Sequence, residues 1–205
     1  MLRLWIGSAE RTDTENVPLS AYRREKLGSV RSLELRRQML TAEALLVSAL
    51  REFGLEPPLD IGTAEGGKPF LRRGGLCFSL SHSGAYAACA VAEYEIGVDI
   101  QTPEKRNEKL VTRFFTAEEQ RFLSVSKQPD EDFTALWCCK ESYLKARGTG
   151  LATPLNSFSV SLSDLPAIAG DSSPAFWLKR EAAFTVALCA LNGQTATPDS
   201  VHLFL

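Results

Sequence analysis

Two short segments place carboxylates among apolar residues, where an ionised group needs a partner to offset its lost hydration. Asp99 stands in Ile96-Gly-Val-Asp-Ile-Gln101, which reads as a strand, so Asp99 and Gln101 share one face. Glu141 stands in Phe133-Thr-Ala-Leu-Trp-Cys-Cys-Lys-Glu-Ser-Tyr-Leu-Lys-Ala-Arg147, where helical spacing sets it beside Lys145, with Trp137 a turn earlier. Carboxylates with a nearby ammonium are groups that hold hard cations or move protons. Each also has a plain structural reading. Asp99 alone reads as an edge-strand carboxylate facing water or an ion pair. Glu141 and Lys145 alone read as a surface pair of ~0.3–0.5 kcal/mol.

A third segment, Phe78-Ser-Leu-Ser-His-Ser-Gly84, offers hydroxyls and an imidazole to a phosphate, or is a hydrogen-bonded turn between two strands. A Ser81–His82 nucleophile pair is disfavoured, because the segment lacks a G-x-S-x-G elbow and neighbouring strand side chains diverge. A fourth is basic: Arg23, Arg24, Lys26, Arg31, Arg36 and Arg37 face only Glu25 and Glu34. Such a run is either a solvated helix face or a steering surface. Lys68, in the loop Glu65-Gly-Gly-Lys-Pro69, is by itself a turn lysine.

The elements that must hold these residues follow from periodicity. Leu2–Gly7 alternates like a strand, Leu19–Leu27 follows, and Val30–Phe53 carries Met39, Ala42, Leu46, Ala49 and Phe53 at helical spacing up to Gly54. Leu76–Leu80, Tyr86–Glu93 and Ile96–Ile100 read as strands, the first two joined by a turn at Ser81–Gly84. Helices are expected over about 105–115, 116–125 and 131–147, ended by Gly148 and Gly150. Strands are expected near 158–162, 176–180, 184–189 and 201–204. Each half therefore reads as strand, helices, strands.

The 205 residues are 44% hydrophobic and 23% charged, which suits one large domain or two closely packed halves. A net charge of −2 gives no global basic field, so nucleic acid is not an expected partner. No apolar run approaches the ~20 residues needed to cross a bilayer, so no membrane contact and a cytoplasmic setting are expected. Cys77, Cys89, Cys138, Cys139 and Cys189 form no CxxC pair and read as reduced core residues. With His82 and His202 the only histidines, a multi-histidine metal site is excluded.

The ordered series GKP, FSLSHSG, IGVDIQ, RFFTAEE and LWCCKESYLKARGTGL strongly resembles the 4′-phosphopantetheinyl transferases of the Sfp-type group. The match runs from about Glu65 to Val160. The resemblance implies an α+β fold built as a pseudo-dimer of two similar α/β halves with the active site between them. Residues 1–95 would hold the adenosine and phosphates of coenzyme A, and 96–205 the metal site and catalytic helix. It implies transfer of the 4′-phosphopantetheine arm of coenzyme A to a serine of an apo-acyl or peptidyl carrier protein, with adenosine 3′,5′-bisphosphate released. It further implies that Asp99 and Glu141 are magnesium ligands, that Lys145 lies near the reacting phosphate, and that Lys68, Ser81, His82, Arg23 and Lys26 hold the adenosine end. Arg37 is a weaker candidate there.

Glu141 is also expected to take the serine proton, and Lys145 to neutralise the leaving bisphosphate. Gln101 stands where the bacterial pattern commonly has a third acid. It is a possible amide ligand that adds no charge, so weaker magnesium binding is expected. Carrier proteins are expected to dock on the Arg23–Arg37 face, unless it serves the CoA phosphates instead, or along the segment after Asp99 through Arg113-Phe-Phe115. The aromatic pair of that segment reads more readily as core than as interface. A monomer is expected, since two half-sites lie in one chain. A non-catalytic CoA- or carrier-binding module is the alternative from another class.

Overall fold

In the computed structural model, which describes residues 1–163 and 165–204, the apolar alternation of the first segment forms strand β1 (Leu2–Ser8). Two helices follow, α1 (Ala21–Gly28) and α2 (Leu33–Arg51). The helix expected from Val30 begins three residues later because the Ser32 side chain accepts the Leu35 N–H and fixes the N-terminus there. A small hairpin, β2 (Ile61–Thr63) and β3 (Pro69–Leu71), carries the Gly66-Gly-Lys68 loop at its tip.

Strands β4 (Cys77–Ser83) and β5 (Tyr86–Ala92) come next. The turn expected at Ser81–Gly84 is a correction: β4 runs through Ser83, and the reversal falls after it at Gly84, whose φ is 52°. Pairing with β5 continues to Ser83↔Tyr86, which keeps those serines in the strand.

The second half opens with β6 (Ile96–Gln101), followed by α3 (Glu108–Phe114), α4 (Ala117–Val125) and α5 (Pro129–Arg147). After two short 3-10 turns come the hairpin β7 (Val160–Leu162) and β8 (Pro166–Ile168), then β9 (Ala175–Arg180), β10 (Thr185–Ala190) and β11 (Ser200–Phe204).

One sheet has the order β11-β1-β5-β4 and the other β6-β10-β9. Strand for strand, β1-β5-β4 matches β6-β10-β9, and the β2/β3 hairpin matches β7/β8. The architecture is thus α+β with two similar halves. Strand β11 pairs in parallel with β1, so the end of the chain joins the first sheet across the division expected after residue 95.

Three apolar layers hold this together. Leu2, Leu4 and Ile6 of β1 and Ala88, Ala90 and Ala92 of β5 pack on Ile96, Val98 and Ile100 of β6 and on Val186 and Leu188 of β10. The small alanines let the two sheets approach closely. The far side of the first sheet is covered by Ala42, Leu45, Leu46, Ala49 and Leu50 of α2, at i, i+3, i+4 spacing. The far side of the second is covered by α5 through Leu136, Cys138, Cys139 and Tyr143.

All five cysteines are free, and four of them are buried. Among the described residues, no helix is long and apolar enough to cross a membrane.

Candidate active site

The alternation of β6 points Ile96, Val98 and Ile100 into the sheet–sheet layer and turns Gly97, Asp99 and Gln101 toward α5. Gly97 is required there. A Cβ on it would lie 1.9 Å from the Ser142 carbonyl oxygen and 2.4 Å from the Ala146 nitrogen. The helix therefore lies directly on the strand, and Asp99 meets the face of α5 that carries Glu141 and Lys145.

Asp99 is 2% exposed and almost fully engaged. Its Oδ1 accepts from Lys145 Nζ at 2.6 Å and from Ser81 Oγ at 2.7 Å, and its Oδ2 accepts from Gln101 Nε2 at 3.0 Å. A carboxylate oxygen has two acceptor sites, so Oδ2 keeps one lone pair. Glu141 has no hydrogen-bond partner among the described residues. Burial pushes its carboxyl above the usual carboxylate range, the charge of Asp99 pushes it further, and Lys145 pulls it back. An unpaired, half-buried carboxylate beside a second one is a destabilised arrangement that a bound cation would relieve.

These residues line one cavity of about 530 Å³ between the halves, together with Arg23, Lys68, Ser81 and His82. The first half supplies the basic wall. Arg23 is 5% exposed, and its Nε donates to Glu43 Oε2 at 3.1 Å. Glu43, wholly buried in α2, also accepts the Ser20 N–H at 2.9 Å. That pair fixes the guanidinium beside the Tyr22 ring, while its two Nη groups make no hydrogen bond among the described residues. The His82 ring is lowered from its ordinary pKa by burial, then by the charges of Lys145 and Arg23, so it is neutral near pH 7.

Not every expected residue takes the place foreseen for it. Lys68 lines the cavity, but its ammonium is used up: it pairs with Glu95 and donates to the carbonyls of Ala146 at 2.9 Å and Ile96 at 3.3 Å. It clips the loop of the first half to the end of α5. Beside the clip, the loop and the Gly148–Gly150 turn touch backbone to backbone, and a Cβ on Gly66 would lie 1.8 Å from the Gly148 oxygen. Lys26 is exposed and outside the cavity lining, with its ammonium 5.8 Å from the Tyr22 ring. Arg37 is exposed as well. Phe115 is a core residue, 2% exposed and stacked on Phe133, while Phe114 packs edge-on against Trp137.

Glu119 was legible only as part of a motif. It is a buried anchor: its carboxylate pairs with Lys140 at 2.6 and 2.8 Å and accepts the Val160 N–H at 2.8 Å and the Thr116 N–H at 2.8 Å. Lys140 thus points away from the cavity and fixes the roll of α5, which leaves its neighbour Glu141 facing inward. Glu43 was missed altogether. Its signal was a charged residue inside the apolar stripe Met39–Leu50.

The family model described as the 4′-phosphopantetheinyl transferase superfamily matches residues 95–193. A 4′-phosphopantetheinyl transferase of Bacillus subtilis is 36% identical over 163 residues, covering 77% of this chain and 72% of that protein. The enzyme Sfp of Bacillus subtilis strain 168 is 34% identical over 70% of this chain and 66% of its own length. HetI of Nostoc is 35% identical, over 71% and 65%. The chain belongs to the 4′-phosphopantetheinyl transferase family, and within it to the Sfp-type group. Among solved structures, a holo-(acyl-carrier-protein) synthase from Bacillus anthracis in complex with CoA (3′,5′-ADP) aligns with a TM-score of 0.44 and 24% identity. That alignment covers 49% of this chain and 96% of that one.

Proposed function

We infer that this enzyme transfers the 4′-phosphopantetheine arm of coenzyme A to a serine hydroxyl of an apo-acyl or peptidyl carrier protein, releasing adenosine 3′,5′-bisphosphate. The observation that carries this is the cavity between the halves, where the carboxylate pair Asp99–Glu141 faces Lys145, His82 and Arg23. A pyrophosphate needs such a site: cations along its length, and acidic oxygens for a hard metal ion at the reacting end.

Asp99, through its remaining Oδ2 lone pair, and Glu141, through an unpaired carboxylate, fit a magnesium ion, with Gln101 Oε1 as a neutral third donor. All are hard oxygen ligands, as magnesium prefers. Among the described residues no group of three or more His, Cys, Asp or Glu side chains is placed to hold a metal. A two-carboxylate site that leaves room for phosphate and water accords with this. When bound, the ion would offset the negative charge that builds on the pyrophosphate oxygens.

The chain's own residues account for the rest. Arg23 offers two free Nη donors to a phosphate of the adenosine end, and His82 stands beside it. The stem of Lys68 and the glycine loop wall off that end, and Lys26 adds charge at the rim. The serine oxygen bonds to the β-phosphorus as the bond to the bridging oxygen breaks. The serine proton passes to Glu141, whose raised pKa makes it a better base than an ordinary carboxylate. Lys145 neutralises the departing bisphosphate.

One chain holding both half-sites fits a monomer, and five unpaired cysteines fit a reducing cytoplasmic setting. The reading is tested by incubating the enzyme with CoA, Mg2+ and several apo-carrier proteins and measuring intact mass. A carrier that gains one phosphopantetheine arm, and fails to do so in EDTA, supports it. A chain that binds CoA and loads no carrier would be the non-catalytic binding module instead.

A further inference from the structure

Strand β4 turns three hydroxyls toward β6 at alternate positions. Ser79 Oγ accepts the Val98 N–H at 3.0 Å, Ser81 Oγ the Ile100 N–H at 3.3 Å, and Ser83 Oγ the Thr102 N–H at 3.1 Å. The two strands belong to different sheets, and these side chains stand in for a main-chain ladder between them. Ser83 Oγ also meets Thr102 Oγ1 at 3.2 Å, but the middle serine is the one that joins charged groups of the cavity. Ser81 Oγ donates its proton to Asp99 Oδ1 at 2.7 Å and accepts from Lys145 Nζ at 2.8 Å.

A hydroxyl has one proton to give and two lone pairs to receive with. All three are taken inside the protein, and Ser81 is 5% exposed. We infer that Ser81 is a positioning residue for Asp99 and Lys145 and not a contact of the CoA phosphates, an assignment that rests on the transferase reading above. Ser81, Asp99 and Lys145 form a closed triangle with sides of 2.6, 2.7 and 2.8 Å. The triangle ties the carboxylate of β6 and the ammonium of α5 to a strand of the first half. It holds Oδ1 toward Lys145, while Oδ2 accepts from Gln101.

Removing the hydroxyl leaves the buried Ile100 N–H unpaired and frees both charged groups to shift. CoA affinity without metal is carried mainly by Arg23 and His82, which lie outside this triangle, and Lys145 keeps its charge in every variant tested. Rate and metal binding pass through the triangle.

The test uses the isosteric pair Ser81→Thr and Ser81→Val, which differ only in the hydroxyl, with Ser83→Ala as a control for a lost inter-sheet bond. Turnover is measured alongside CoA affinity in EDTA and Mg2+ affinity in the presence of CoA, both by calorimetry. Ser81→Val is expected to lower kcat and Mg2+ affinity by about 10–100-fold, with CoA affinity in EDTA changed by no more than about twofold. Ser81→Thr is expected to keep most of both. Ser83→Ala is expected to lower the melting temperature and leave kcat unchanged. The assignment is overturned if the threonine and valine variants turn over equally fast, or if CoA affinity in EDTA falls as far as the rate. Failure of the unmodified chain to load any carrier would count against the transferase reading instead. The Mg2+ titration then decides on Ser81: weakening with valine supports the assignment, and equal binding overturns it.

Discussion

In the first half, β1 buries Leu4, Trp5 and Ile6, and its one charged residue, Arg3, reaches out to Glu52 at 2.9 Å. In the second, the corresponding strand β6 buries Asp99 beside two charged residues of α5. The helices differ in the same sense. The buried charge of α2, Glu43, is spent on orienting Arg23, whereas α5 leaves Glu141 unpaired in the cavity. Two copies of one element order therefore make a cleft with a basic wall and an acidic wall. The shared scaffold creates the cleft, and its unequal charges are the basis of the proposed placement of the phosphate ester's two ends.

Breaking either wall should have its own signature. The largest effect is expected from Asp99→Ala, which removes the proposed metal donor and the partner of Lys145 together. Carrier loading followed by intact mass should slow by about 10³-fold or more, at several kcal/mol for the lost charge stabilisation. Next is Glu43→Ala, which strands the buried Arg23 guanidinium. Denaturant unfolding should report a loss of about 3–5 kcal/mol, with a higher KM for CoA. A smaller loss is expected from Gly66→Ala, whose methyl meets the Gly148 carbonyl. The loop and the turn must part, at about 1–3 kcal/mol, and both walls should loosen together.

The smallest effect has the opposite sign. Glu141 has a folded pKa above its unfolded one, so its contribution favours folding below the unfolded value near 4.5 and is lost as pH rises through the folded value. Ionised Glu141 thus costs stability at neutral pH in the metal-free protein. Glu141→Gln should raise the melting temperature in EDTA at pH 7.5 by roughly 2 °C. That gain should vanish near pH 4, and the variant should lose transfer activity.

The halves were legible in the sequence because their strands and helices carry clean apolar periods: Leu2, Leu4 and Ile6, or Met39, Ala42 and Leu46. The carboxylates Asp99 and Glu141 were legible because each interrupts such a period. Long-range pairing was not. Nothing local to Lys68 shows that its ammonium is committed to Ala146 and Ile96, nor does the Ser-x-Ser-x-Ser of β4 reveal that its hydroxyls face β6. Read locally, those serines signal a turn. Across the sheets they are acceptors, because the neighbouring strand brings the N–H groups of Val98, Ile100 and Thr102 to them. The role of Gly97 was hidden for the same reason, since only the seated helix shows that a side chain has no room there.

The central claim, that an acidic and a basic wall from different halves act on one CoA molecule, is tested most directly by CoA affinity measured with and without Mg2+. The unmodified protein should bind CoA in EDTA and more tightly with Mg2+. Arg23→Ala should weaken binding in both conditions, whereas Glu141→Gln should remove only the gain from Mg2+. Full Mg2+-dependent tightening in Glu141→Gln, or unchanged affinity in Arg23→Ala, would contradict it.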